Sequence, residues 1–337
     1  MSSERPAVSV LLPARDAARH LDVCLRSLER QRETRWECIL VDDGSLDATP
    51  RIAREHAARD PRLRLVTGPR RGLIAALHEG LAHCRAPLVA RMDADDWMHR
   101  DRLGAQLAHL ERHPELAGVG CHVRLFPRPH LGDGRRRYEA WLNGLTSEAA
   151  ISHDRFVECP LAHPTWMIRR GPLAELGYRD RGWPEDYDLL LRLLARGHRL
   201  GVVPRRLVGW RDHDARLSRC HPAYAIERFT ECKAAHLATG FLARAPQYIL
   251  WGYGDTGRSL RRALARHDRR PSHIVELHPG RLGQRIHGAP VVAPERIPDL
   301  PRRPLVASVA GAEARERIRA ALSGMGLREM SDFVCAA

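Results

Sequence analysis

The chain has 337 residues, 44% of them apolar, enough to bury a full core and long enough for two domains. Its formal charge is +14, but the excess is spread as about +7 over residues 1–243 and about +7 over 244–337, almost all of it Arg, with Lys233 the single lysine, so there is no basic tail of the kind that grips nucleic acid. Eight cysteines without a C-x-x-C pair argue against a zinc knuckle or a disulfide framework and for a reducing, cytoplasmic setting.

The first apolar stretch is broken by Pro13 and is too short for a signal peptide, and no run approaches the roughly 18 apolar residues of a membrane span. Any membrane contact is therefore expected to be peripheral, at the inner face. AVSVLL (7–12) predicts a strand, followed by a helix with Leu21, Cys24, Leu25 and Leu28 on one face. ECILV (37–41) predicts a second strand and is followed by a helix opened by Asp47. LRLVT (63–67), the helical segment GLIAALHEGLAHC, PLVARM (87–92), a helix from about Arg100 to His113 and AGVGCHV continue the alternation. Nearly all-apolar strands alternating with helices predict a mostly parallel sheet covered by helices, and such sheets bind ligands beyond the carboxyl ends of their strands.

Two acidic clusters fall at that rim: Asp42 and Asp43 in DDGS, and Asp93, Asp95 and Asp96 in DADD. Asp, Gly and Ser are also ordinary turn and cap residues, and for DDGS that reading stands beside the functional one. Three carboxylates within four positions repel one another unless a cation is shared, and an all-oxygen donor set favours Mg2+ or Mn2+. Residues 126–160 predict loops and short helices. TWMIRR predicts a strand, PEDYDLLLRLLARG a helix with Pro184 at its start, HRLGVVP and RLVGWR two strands, and HPAYAIERFTECKAAHLATG a long helix ending a first domain near residue 243.

The ordered series VSVLLPARD, ILVDDGSLD, RRGLIAALHEGLA, DADDW, HPTWMIRR, PEDYDLLLRL and WRDHDARLS resembles the inverting glycosyltransferases of family 2, over about residues 8–218. The resemblance implies the GT-A fold, a nucleotide-sugar donor, most simply a UDP-sugar, and a glycan or glycolipid acceptor. It also implies that Asp42 and Asp43 lie on the nucleotide side with Arg71 as a basic neighbour. Asp93, Asp95 and Asp96 would share the ribose and the metal, and His213 would serve the metal or the diphosphate. Asp186, with Glu185 beside it, would be the general base, and His163 would lie near the acceptor. The chain lacks the Q-x-x-R-W motif of processive synthases, which implies one sugar transferred per binding event.

After LARAP the pattern restarts. Gly252, Gly254 and Gly257 form G-x-G-x-x-G between a predicted strand and helix, and SHIVEL ends near Glu276, about where a dinucleotide fold places its ribose-binding acid. Residues 244–337 resemble the Rossmann-like nucleotide-binding module of bacterial sugar acyltransferases, with glycines that merely permit close packing as the alternative. Two other function classes stay open at this point: an NAD-binding oxidoreductase and a non-catalytic nucleotide-sugar-binding protein.

Overall fold

The structure is a computed structural model that describes residues 5–337. The chain divides into two units. The first holds residues up to Ile151, Leu161–Asp180 and Asp188–Arg216; the second holds Ser152–Pro160, Arg181–Tyr187 and Leu217–Ala337. By contacts, the segment after Arg216 groups with the later residues.

In the first unit the strands are β1 (Val8–Ala14), β2 (Trp36–Asp42), β3 (Leu63–Thr67), β4 (Leu88–Arg91), β5 (Trp97–Met98), β6 (Leu116–Phe126), β7 (Met167–Arg169) and β8 (Arg199–Arg211). They form one sheet in the order β3-β2-β1-β4-β7-β6-β8-β5. The β3-β2-β1-β4 half is parallel, and the antiparallel β7 joins it to the other half. Helices α1 (Ala18–Glu29), α2 (Thr49–Arg59), α3 (Leu73–His83) and α4 (Arg102–Arg112) connect these strands. Leu21, Cys24, Leu25 and Leu28 of α1 are all fully buried, as their 3–4 spacing predicts, and they share a core with Val8, Val10 and Leu12 of β1. Fully burying such side chains contributes about 1.5–3 kcal/mol each, which fixes the face that α1 presents to the sheet.

HRLGVVP and RLVGWR are one strand, β8, not two. Its pairing with β6 slips between Cys121 and Val123, and this irregularity carries the ladder past Pro204 while residues 204–206 stay exposed. Short helices α5 (Asp133–Gly144) and α6 (Glu148–Asp154) fill the stretch expected to be irregular, followed by α7 (Arg170–Leu176) and α8 (Glu185–Ala195).

The second unit contains α9 (Leu217–Cys220), α10 (Ile226–Thr239), α11 (Asp255–Ala265) and α12 (Ala312–Gly324). Its sheet comprises β9 (Gln247–Trp251), β10 (Arg270–Val275), β11 (Arg285–Ile286), β12 (Ala289–Val292), β13 (Leu305–Ala307) and β14 (Phe333–Cys335), in the order β11-β12-β10-β9-β13-β14. All pairs but β11–β12 are parallel. The β11–β12 hairpin was not foreseen: its strands are only two and four residues long, too short to show a period. No helix among the described residues is long and apolar enough to cross a membrane.

Candidate active site

The carboxyl ends of β1, β2 and β4 bring the acidic clusters to one rim, because the register pairs Ala14 with Asp42 and Leu11 with Arg91. The β1–α1 and β2–α2 loops are stitched together there. The Asp16 amide donates to Ser45 Oγ (2.9 Å), the Leu46 amide to Asp16 Oδ1 (2.8 Å), and the Ala17 amide to Thr49 Oγ1 (2.7 Å). The Leu46 amide, with help from Arg70, holds the Asp16 carboxyl below its usual range. Asp42 is buried and closes its own turn by accepting the Ser45 amide at 3.1 Å. Gly44 has φ +67°, and a Cβ there would meet Arg70 Cβ at 2.8 Å, so the turn requires glycine.

Asp43 is buried and accepts the backbone amides of Arg71 and Gly72, both at 2.8 Å, with Arg15 Nη1 at 3.4 Å. Each carboxylate oxygen has a second lone pair, so Asp43 retains capacity for one more donor. Arg71 meets Asp43 through its main chain; its exposed guanidinium lies 3.7 Å from Glu79.

In the DADD cluster, carboxylate oxygens of Asp93, Asp95 and Asp96 all lie within 4.8 Å of one another. Asp93 Oδ1 accepts from Arg91 Nη2 at 2.6 Å, and this guanidinium, only 3% exposed, also donates to the Met92 carbonyl. Asp95 Oδ2 lies 2.8 Å from His213 Nε2. Asp96 is 1% exposed: its Oδ1 accepts the Arg211 amide at 2.7 Å, while its Oδ2 is buried without a protein partner. Burial first, then the charges of Asp95 and Asp93, raise the Asp96 carboxyl well above the usual range. A buried carboxylate oxygen with no donor, facing two more carboxylates, fits a divalent cation bound by hard oxygen ligands.

The placement of His213 follows from strand pairing. Trp97 pairs with Gly209 and Met98 with Val208, which folds the end of β8 back onto the residues following Asp96. A Cβ on Gly209 would meet the Trp97 indole at 2.2 Å, so only glycine permits this contact. Arg211 Nε then donates to the Asp95 carbonyl at 2.8 Å, locking the two segments together. The His20 ring on α1 lies 5.9 Å from that of His213, and burial with Arg211 nearby lowers its proton affinity.

The remaining predicted residues are distributed as follows. His163 is 7% exposed, with Nε2 2.9 Å from Tyr178 Oη and its ring against Trp166; burial and then Arg91 hold it well below the usual imidazole range. It is a buried packing residue of the first unit. Glu185 and Asp186 open α8 and belong to the second unit. Glu185 is buried and accepts from Tyr224 Oη at 2.6 Å, whereas Asp186 is half-buried, with Oδ1 accepting the Tyr187 amide at 2.7 Å.

In the glycine-rich turn, Gly252 has φ +93°, and a Cβ on Gly257 would lie 2.0 Å from the Gly252 carbonyl oxygen; a Cβ on Gly254 would meet nothing within 4 Å. Two of the three glycines are thus accounted for structurally, Gly252 by its backbone conformation and Gly257 by the close approach of α11 to the turn. Glu276 accepts the Tyr253 amide at 2.8 Å and Arg281 Nη1 at 2.9 Å, which turns its carboxylate into a brace for the turn. Arg91, Arg211, Arg15 and His20 were not singled out from sequence. Arg91 had a usable signal, a lone cation in an otherwise apolar strand just before three acids.

The sequence profile of "Glycosyl transferase family 2" matches residues 9–177. The amylovoran biosynthesis glycosyltransferase AmsE of Erwinia amylovora is 28% identical, over 59% of this chain and 73% of its own. The structure is similar to that of S. aureus TarS in complex with UDP-GlcNAc (TM-score 0.57, 16% identity, 77% of this chain and 72% of that one). It is also similar to the mannosyltransferase PcManGT of Pyrobaculum calidifontis in complex with GDP-Man and Mn2+ (TM-score 0.51, 22% identity, 78% and 70%). The eight-stranded mixed sheet flanked by helices is the GT-A-type fold, and the chain belongs to glycosyl transferase family 2.

Proposed function

We propose that the protein is a metal-dependent, inverting glycosyltransferase that moves a sugar from a nucleotide diphosphate, in first place a UDP-sugar, to a hydroxyl of a glycan or glycolipid. The observation that carries this reading is the DADD cluster with the orphaned, buried Asp96 Oδ2. Support for the donor class comes from TarS, seen with UDP-GlcNAc, and PcManGT, seen with GDP-Man and Mn2+; a glycan acceptor is in keeping with the amylovoran role in the name of AmsE.

Asp95 and Asp96 would hold Mg2+ or Mn2+ with His213 beside them, while Asp93, steadied by Arg91, faces the ribose. Asp43 would accept from the base through its one remaining lone pair, with Asp42 shaping the turn. The bound cation supplies charge to offset that on the departing diphosphate. Asp186 would take the proton of the acceptor hydroxyl as its oxygen attacks the anomeric carbon from the opposite face, which inverts the stereochemistry. Glu185, tied to Tyr224, would fix the start of α8 rather than carry protons. Donor chemistry is assigned to residues 1–243 and a separate, Rossmann-like role to 244–337.

A panel of UDP-, GDP-, ADP- and dTDP-sugars incubated with and without Mn2+ tests this reading. It predicts hydrolysis of at least one donor that requires the metal. Hydrolysis unaffected by EDTA would remove the metal from the account.

A further inference from the structure

The second unit has an open surface cavity of about 380 Å³, with Gln247, Arg270 and His287 exposed, at the end of its sheet opposite the glycine-rich turn, where β9 and β10 begin. Gln247, Arg270, Ser272, His273, His287 and Arg303 line it, and no carboxylate does. Several arginines elsewhere in this unit meet an acid, whereas none of those lining this cavity does. Arg266 meets Glu231 at 2.6 Å, Arg281 meets Glu276 at 2.9 Å, Arg296 meets Asp299 at 2.9 Å, and Arg319 meets Asp154 at 2.5 Å. Among the described residues Arg270 and Arg303 have no acidic partner, and Arg303 Nε is buried with no acceptor. Arg285, close to His273, gives its guanidinium only to the Gly288 carbonyl, at 2.8 Å. The Ser272 hydroxyl donates to the Tyr248 carbonyl at 3.3 Å and lies 3.3 Å from His273 Nδ1. Burial, Arg303 and Arg285 together lower the proton affinity of His273, which is what an unneutralised cationic wall does to an imidazole.

We propose that this cavity is a binding site for a phosphate- or diphosphate-bearing ligand, separate from the donor site of the first unit. Guanidinium forks match phosphate oxygens with paired N–H donors, the imidazoles and Gln247 add further donors, and a phosphate or diphosphate offers more acceptor oxygens and more negative charge to these groups than a carboxylate does. The phosphate could be carried by a free small molecule or by the headgroup of an anionic phospholipid, and the test separates the two.

Calorimetric titration of the full chain with pyrophosphate is carried out in the Asp95→Ala background, without divalent metal, so that the donor site does not contribute. Co-sedimentation with phosphatidylglycerol and with phosphatidylcholine vesicles forms the second arm. The variant pair Arg270→Glu with Arg303→Glu, and its milder form Arg270→Gln with Arg303→Gln, is compared with Arg296→Glu plus Arg317→Glu. These last two arginines are exposed, and their reversal changes the net charge as much as the Glu pair does. Pyrophosphate binding at one site per chain, weakened at least tenfold by both cavity pairs and less than threefold by the control, supports a small-molecule ligand. Sedimentation with phosphatidylglycerol only, lost in both cavity pairs and kept in the control, supports a headgroup. Equal loss in cavity and control variants, or no binding in either arm, overturns the proposal.

Discussion

Replacing Arg91 by Met removes a 3%-exposed guanidinium whose hydrogen bond to Asp93 Oδ1 is 2.6 Å long. Asp93 is then left within 4.8 Å of the Asp95 and Asp96 carboxylates without its cation. Removing one partner of a buried ion pair costs about 3–5 kcal/mol, because the remaining charge stays desolvated. Asp93 is 28% exposed at its side chain, so water recovers part of this and the lower end of the range, about 3 kcal/mol, is expected. At about 2–4 °C per kcal/mol for a unit of this size, Tm should fall by roughly 6–12 °C in EDTA. Added Mn2+ supplies the missing positive charge, so it should raise the Tm of Arg91→Met more than that of the unaltered protein. The control is Arg26→Met, which removes an exposed i,i+4 pair with Asp22 and should cost less than about 1 kcal/mol. Thermal melts of the three proteins in EDTA and in Mn2+ check the argument. An Arg91→Met protein that melts within about 2 °C of the parent in EDTA, or gains no extra stability from Mn2+, would refute it.

Three further outcomes are expected. Asp186→Asn should leave nucleotide affinity unchanged in calorimetry and slow sugar transfer by about 10²–10⁴, since the amide cannot accept the acceptor's proton; unchanged turnover would assign the base elsewhere. Gly209→Ala places a methyl 2.2 Å from the Trp97 indole; it should cost about 1–3 kcal/mol in denaturant melts and weaken Mn2+ binding by displacing the strand end that presents His213. His163 has its folded-state proton affinity held well below 6.5, so the unfolded chain binds the extra proton first. Stability should therefore be complete above about pH 6.5 and fall by up to about 1.4 kcal/mol per pH unit below it, and His163→Gln should flatten that acid slope in melts between pH 4 and 8.

The central strands of the first unit were legible because they are buried along their length and read as largely apolar runs, as ECILV does in β2; edge strand β3, with only Leu63 buried, was read from LRLVT alone. The acidic pair Asp42–Asp43 and the DADD cluster were legible for a related reason, since acids directly after such runs can only sit at the strand ends. What pairs with them was not legible. Arg91 and Arg211 reach the cluster through strand register and were missed; His213, named only through the resemblance, arrives with Arg211 through the Gly209–Trp97 contact, more than one hundred residues away in the chain. The continuous β8 was hidden by Pro204, which ordinarily ends a strand but here sits at an irregularity of the ladder. Glu276 stands at the spacing of a ribose-binding acid, yet its oxygens brace the turn, a role that spacing alone does not distinguish.

The central claim is that the DADD cluster is a divalent-cation site whose occupancy governs donor binding. The most direct measurement is calorimetric titration of UDP into the protein with Mn2+ and with EDTA, repeated for Asp95→Ala and Asp96→Asn, with circular dichroism showing that each variant is folded. The account predicts UDP binding that depends on Mn2+ in the parent protein and is weakened at least tenfold in both variants under saturating metal. Equal UDP affinity in Mn2+ and in EDTA, or full Mn2+-dependent binding in folded Asp95→Ala and Asp96→Asn, would contradict it.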